Sequence, residues 1–241
     1  MSARPLIVAL DGPAGAGKST VAKLVAEKAG LALVDTGAIY RTVALLALQQ
    51  GLSVDDGNAL GRIAQTLPAR LRFVVEGGHN RVFLDGREPP APASTLEITA
   101  TIRSPEVSAA ASSVARHPAV RAALLELQRA LGRRGKGSVL EGRDIGTVVF
   151  PDADVKAFVT ASPQERARRR MNELSEKGLA GNESEESVLR DIMARDKQDA
   201  ERPVAPLKAA DDAVVVDTTG KTLQQVTDEI LALVKRAREK Q

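Results

Sequence analysis

Gly12-Pro13-Ala14-Gly15-Ala16-Gly17-Lys18-Ser19 satisfies the spacing G-x-x-x-x-G-K-[ST]. The chemistry that spacing serves is the holding of nucleotide phosphates. Glycines let backbone N–H groups turn toward phosphate oxygens, and a helix that starts at the loop adds its positive end. Lys18 is placed to reach the β- and γ-phosphates, and the Ser19 hydroxyl is the candidate Mg2+ ligand. With Thr20, these nine residues form the expected ATP-binding set. The flanks agree: Leu6-Ile7-Val8-Ala9-Leu10 reads as a buried strand. Thr20 to Ala29 reads as a helix with Val21, Leu24 and Val25 on one side, stopped at Gly30.

Two more segments place chemistry at predicted strand ends, where ligands bind in open α/β sheets. Asp35-Thr36-Gly37-Ala38-Ile39-Tyr40-Arg41 follows the apolar run Leu31–Val34. Arg41 lies one turn into the next helix, facing either the cleft or solvent. Asp35 either holds Mg2+ through water or caps that helix. Glu141-Gly142-Arg143-Asp144 follows Val139-Leu140. An adjacent Arg and Asp there either hold an anion and a hydrogen-bond donor together or form an internal salt bridge. A GTPase is disfavoured: no Asn-Lys-x-Asp segment is present, and the Asp-x-x-Gly match at Asp217–Gly220 comes too late in the chain. What remains is a small kinase moving a γ-phosphoryl group onto a small acceptor. Such an enzyme needs a second anion site and a mobile cover that excludes water. An acceptor that is itself a phosphate needs no general base, only positioning and charge neutralisation.

The elements that must position these residues follow from apolar patterning. The chain has 241 residues, with 4 Phe, 1 Tyr and no Trp, so its core must be aliphatic. It has no Cys, which removes disulfides and Cys-based metal sites, and His79 and His117 suggest no metal cluster. Net charge is +3, too mild to indicate a nucleic-acid binder. No apolar stretch has membrane-span length. The N-terminal run is too short for a signal peptide and is interrupted by Asp11, so a cytoplasmic location is expected. Val155–Val159 and Ala213–Val216 add further strands between helical segments, predicting an α/β fold with a parallel sheet covered by helices on both faces. Thr222-Leu223-Gln224-Gln225 opens the last helix as a capping box.

Between these, Arg72–Glu76 and Arg81–Leu84 predict a hairpin around Gly77-Gly78-His79-Asn80. Asp85-Gly86-Arg87 turns out of it, Pro89-Pro90-Ala91-Pro92 makes an irregular connection, and helices are expected at Ser104–Arg116 and Pro118–Leu131. A mobile lid is expected from Ser162 to about Gly181, opened by Ser162-Pro163-Gln164-Glu165. Its apolar face is Ala167, Met171 and Leu174. Arg166, Arg168, Arg169 and Arg170 either reach ATP phosphates or form surface ion pairs such as Glu165–Arg169 and Arg169–Glu173. Gly178, Gly181 and Asn182 would permit its movement. A helix starting at Asn182-Glu183-Ser184-Glu185 carries Val188, Ile192, Arg195, Asp199 and Arg202 as one stripe. That stripe begins apolar and turns charged, meeting either a cleft or solvent.

The chain resembles the bacterial cytidylate kinases, nucleoside monophosphate kinases of the P-loop superfamily. The matching segments are Asp11 to Ser19, Asp35 to Arg41, Glu141-Gly142-Arg143-Asp144-Ile145-Gly146-Thr147-Val148-Val149-Phe150-Pro151, and Arg202-Pro203-Val204-Ala205-Pro206-Leu207. The resemblance implies ATP-dependent phosphorylation of CMP and dCMP with Mg2+, by a single-domain cytoplasmic monomer without nucleic-acid partners. It implies a P-loop kinase core (1–59, 122–161 and 203–241), a monophosphate-binding insertion with a small antiparallel hairpin (about 60–121) and a helical lid (about 162–185). By resemblance, Ser112, Arg121 and Asp144 read cytosine, with Ser113 leaving the register of Ser112 open. Arg41, Arg143 and Arg202 hold the acceptor phosphate, Arg195 and Asp199 hold the sugar, and Thr36 and Tyr40 complete the acceptor set. Lys18, Arg41, Arg143 and Arg202 form the implied catalytic group, and Arg169 joins the ATP site.

The chemistry fits the base. A carboxylate accepts from the exocyclic amino group of cytosine, an arginine donates to the ring acceptors, and uracil reverses that pattern. The alternatives are a small kinase acting on UMP, shikimate or a coenzyme precursor, and a nucleotide-gated RNA-binding protein using the Arg133–Lys136 loop. Scarce aromatic residues weigh against the RNA reading.

Overall fold

The computed structural model describes residues 4–76, 79–85, 95–176, 178, 181 and 183–241. Five parallel strands build the main sheet: β1 (Leu6–Asp11), β2 (Ala32–Asp35), β6 (Gly137–Gly142), β7 (Val155–Thr160) and β8 (Val214–Asp217), in the order β2-β6-β1-β7-β8. β1 is buried along its whole length because its alternate side chains serve two cores. Leu6, Val8 and Leu10 join Val139, Val155, Ala157 and Val159 beneath α1 (Lys18–Ala29) and α8 (Leu223–Arg238). Ile7 and Ala9 join Val34 and Leu140 beneath α2 (Thr36–Gln49) and α5 (Pro118–Gly132). Each fully buried Val, Leu or Ile contributes roughly 1.5–3 kcal/mol.

Coverage is not uniform. The last strand was expected to be buried, but β8 is an edge strand that leaves Val214 46% and Val215 61% exposed. The helix signals hold. Gly30 caps α1 at φ +64°, and Thr222 and Gln225 form the expected capping box of α8. No helix among the described residues is long and apolar enough to cross a membrane.

A second sheet comes from the expected hairpin, β3 (Leu71–Glu76) against β4 (His79–Asp85), and from a strand the sequence did not signal, β5 (Thr95–Glu97). The expected Gly77-Gly78, Gly86-Arg87 and Pro89–Pro92 connections lie outside the described residues. The hairpin covers the edge strand β2, where Asn80 Nδ2 donates to Leu33 O at 3.2 Å. A short turn, Thr101–Arg103, leads to α4 (Pro105–Val114), capped by Ser104. Residues 60 and 121 lie inside helices, α3 (Gly57–Arg70) and α5. Leu60, Ile102, Val114 and Leu124 belong to the same apolar cluster as Ile7 and Leu140, so this part shares the core of the sheet.

Helix α6 (Pro163–Glu176) starts as expected, with Glu165 N donating to Ser162 Oγ. It packs on α7 (Glu185–Glu201), which opens with a Ser184/Ser187 capping box. Ala167, Leu174, Val188 and Ile192 form a third cluster, apart from the two cores of the sheet. α6 and α7 therefore pair as a helical hairpin with its own small core. Gly178 and Gly181 both take positive φ in the connection, while Asn182 lies outside the described residues.

Candidate active site

The phosphate loop leaves β1 through a glycine that no other residue can replace without backbone movement. Gly12 has φ +144°, and a Cβ there would sit 1.9 Å from Val159 O. Gly15 and Gly17 also take positive φ, opening the concave turn that backbone N–H groups need. Lys18 is buried and donates to Pro13 O at 2.6 Å. Burial, and next the Arg143 charge, hold its ammonium pKa well below the usual lysine range. Ser19 and Thr20 are exposed at the start of α1. Ser19 Oγ donates to Glu141 Oε2 at 2.6 Å.

Glu141 opens one of the segments singled out in the sequence, but it was given no role there. It is the penultimate residue of β6, directly beside Asp35 of β2. Burial, and next the neighbouring Asp35, raise its pKa to about 7. Asp35 caps α2, accepting from Ala38 N at 3.0 Å, and also pairs with Arg41 at 2.8 Å and Arg103 at 3.3 Å. Capping and cleft pairing thus coincide in one carboxylate. Thr36 Oγ1 donates to Glu141 O at 2.7 Å, tying the ends of β2 and β6.

Asp11, at the head of the first matching segment, was likewise given no role. It receives Ile145 N at 2.8 Å and Gly146 N at 2.7 Å, holding the π-helical turn Ile145–Val149 against the end of β1. Burial raises its pKa to about 6. That turn begins at Asp144, whose carboxylate is buried against two guanidiniums. Arg121 NH2 donates to Asp144 Oδ2, and Arg202 NH2 to Oδ1 at 3.4 Å. Arg121 also donates to Ala115 O and lies over the Tyr40 ring, 5.5 Å from its centroid. Beside them opens a cavity of about 200 Å3 lined by Tyr40, Arg121, Gln128, Asp144, Val148 and Val204.

The charged half of the α7 stripe turns inward. Asp199 and Arg202 are 5% and 7% exposed, which excludes a surface ladder. Asp199 accepts from Arg143 Nε at 3.1 Å. Arg202 donates to Ala205 O, in a loop where Ala205 holds φ +52°, a conformation costly for a non-glycine residue. This burial makes Arg202→Ala destabilising, because it removes a guanidinium that the buried Asp144 and Asp199 share. Arg195 pKa is lowered to about 10, first by burial and then by Arg143. Arg195 Nε and Arg41 Nε are buried without a hydrogen-bond partner. Ser112 Oγ is likewise buried and unpartnered, although Ser112 does not line the cavity beside Asp144.

The four arginines of α6 separate by burial. Arg166 is 3% exposed and donates to Ala161 O and Ala14 O while pairing with Asp196 at 2.6 Å, so it ties α6 and α7 to the glycine-rich loop. Arg169 pairs with Glu165, as its spacing foretold, and reaches Thr218 O and Oγ1. Arg168 pairs with Glu165, and Arg170 with Glu173.

The comparisons with known proteins point to one family. A sequence model of the family described as cytidylate kinase matches residues 8–236. A protein named cytidylate kinase from an Exiguobacterium species is 47% identical over 235 residues, spanning 98% of this chain and 99% of that protein. One of the same name from Shouchella clausii is 48% identical over 228 residues, spanning 95% of each. Among solved structures, an uncharacterized protein from Eubacterium ventriosum superposes with TM-score 0.51 at 14% identity, covering 95% of this chain and 98% of that one. That likeness concerns the fold alone.

Proposed function

The chain belongs to the cytidylate kinase family, and we propose that its cleft transfers the γ-phosphoryl group of ATP to CMP and dCMP, giving CDP and dCDP. The observation that carries this reading is the buried Arg121–Asp144 pair facing a surplus of cations at the sheet's carboxyl edge. Asp144 accepts from the amino group of cytosine and Arg121 donates to its ring acceptors, with Ser112 Oγ as a further polar group for the base. Arg41, Arg143 and Arg202 hold the acceptor phosphate. Arg195 and Asp199 hold the sugar, and Thr36 and Tyr40 wall the acceptor site. Gly12 to Thr20 hold ATP, with Arg169 at its edge. Lys18 leaves Pro13 O for the transferring phosphates, whose charge spreads over several oxygens in a loose transition state.

Mg2+ takes oxygen ligands and keeps several waters, binding through one or two carboxylates together with substrate phosphates. The Ser19 hydroxyl and the Glu141 and Asp35 carboxylates, gathered at adjacent strand ends, fit it. Bound there, the ion neutralises charge on the phosphates. The remaining work belongs to the chain: Lys18 and the arginines orient two polyanions, Asp144 and Arg121 select the base, and α6 with α7 exclude water. The protein acts as a monomer, with small-molecule partners only. Release of ADP across CMP, dCMP, UMP and AMP tests the reading. CMP and dCMP should exceed UMP by a wide margin, and equal turnover of UMP would sink it.

A further inference from the structure

Arg103 is an exposed arginine that the roles above leave unused, yet its guanidinium lies on a carboxylate of the cleft. Its NH2 group donates to Asp35 Oδ2 at 3.3 Å, the same oxygen that Arg41 reaches at 2.8 Å. Its NH1 group donates to Thr99 O at 2.9 Å. The turn that carries it is anchored, because Ile102 is fully buried and the turn packs on α2. Two guanidiniums from different parts of the fold, the sheet's own α2 and the inserted segment, therefore converge on one oxygen atom. That carboxylate is already engaged by the Ala38 N–H. The one carboxylate that both guanidiniums touch carries a single negative charge, and Arg41 Nε is buried without a partner. A phosphate offers more oxygens and more charge than a carboxylate, and arginines bind it in bidentate fashion.

We infer that Arg103 is a phosphate-holding residue for the acceptor: the monophosphate takes the Arg41 and Arg103 guanidiniums from Asp35. This rests on the acceptor reading above. It makes the inserted segment part of the phosphate site as well as of the base site, so the phosphate draws the Thr101–Arg103 turn toward the cleft.

Equilibrium binding of CMP and of cytidine, which lacks the phosphate, separates this from a structural role. Arg103→Gln should weaken CMP binding about tenfold or more and leave cytidine binding within about twofold of wild type, with Arg103→Lys between them. Arg103 is exposed, so both variants should melt near the wild-type temperature. An unchanged CMP-to-cytidine affinity ratio in Arg103→Gln would overturn the inference, as would equal weakening of both ligands. If the wild-type protein binds CMP no better than cytidine, the acceptor reading itself fails first, and the role of Arg103 goes with it.

Discussion

Ser19 donates its hydroxyl to the Glu141 carboxylate at 2.6 Å, across 122 residues of sequence. The bond joins the first turn after the phosphate loop to the strand that leads into Arg143 and Asp144. The proposed donor and acceptor sites thus share a seam along the carboxyl edge of β1 and β6, and Asp11 stitches the same seam from the other strand.

Glu141→Gln keeps an acceptor for Ser19 but removes the charge beside the Mg2+ position. Partners of this kind typically cost 10–100-fold when altered. Steady-state kinetics should show kcat lowered by about 10–100-fold with KM for CMP within about twofold. An unchanged kcat would remove Glu141 from the donor site.

Lys18→Ala should cut turnover by about 100-fold or more, the scale of a lost transition-state donor. Its melting temperature should hold or rise, since a buried ammonium disfavoured by desolvation and by Arg143 is removed. Near-normal ADP release by the folded variant would contradict the role given to Lys18.

Asp11 gives a pH dependence of stability with a definite sign. Its pKa rises from 3.8 to about 6 on folding, so its contribution is fully present below pH 3.8 and is lost as pH rises through about 6. At about 1.36 kcal/mol per pKa unit, the change is about 3 kcal/mol. The wild-type advantage in melting temperature over Asp11→Asn should therefore shrink between pH 4 and pH 7. A difference that grows with pH would refute the assignment.

Ile192→Ala opens a hole in the small core of α6 and α7, apart from the two cores of the sheet. Hydrogen exchange should quicken in 163–201 while protection in β1 and β6 stays near wild type, as expected for a local unfolding unit. Uniform loss of protection would mean that the helical hairpin does not open independently.

Lys18 and Ser19 were readable from sequence because the loop motif packs its chemistry into one turn of chain. The inward stripe on α7 was readable because helical spacing groups Val188, Ile192, Arg195, Asp199 and Arg202. Asp11, Glu141 and Arg103 were not, since their roles depend on partners in distant segments. Nor did sequence separate the arginines of α6. All four sit in one charged run, and only packing buries Arg166 at 3% exposure while the Arg168 side chain stays 57% exposed. The short strand β5 escaped because its three residues are all exposed and carry little apolar signal.

The most direct measurement is the kcat/KM ratio of CMP to UMP in wild type and in Asp144→Asn, side by side. Both asparagine and alanine remove the counter-charge that Arg121 and Arg202 share, but alanine would also empty the site and leave both guanidiniums without a polar partner there. Asparagine keeps the shape and turns an acceptor-only group into one that both donates and accepts. The account predicts that the CMP preference collapses by about 100-fold or more while KM for ATP stays within about twofold. A full CMP preference retained by a folded Asp144→Asn protein would contradict the claim that this carboxylate reads the base.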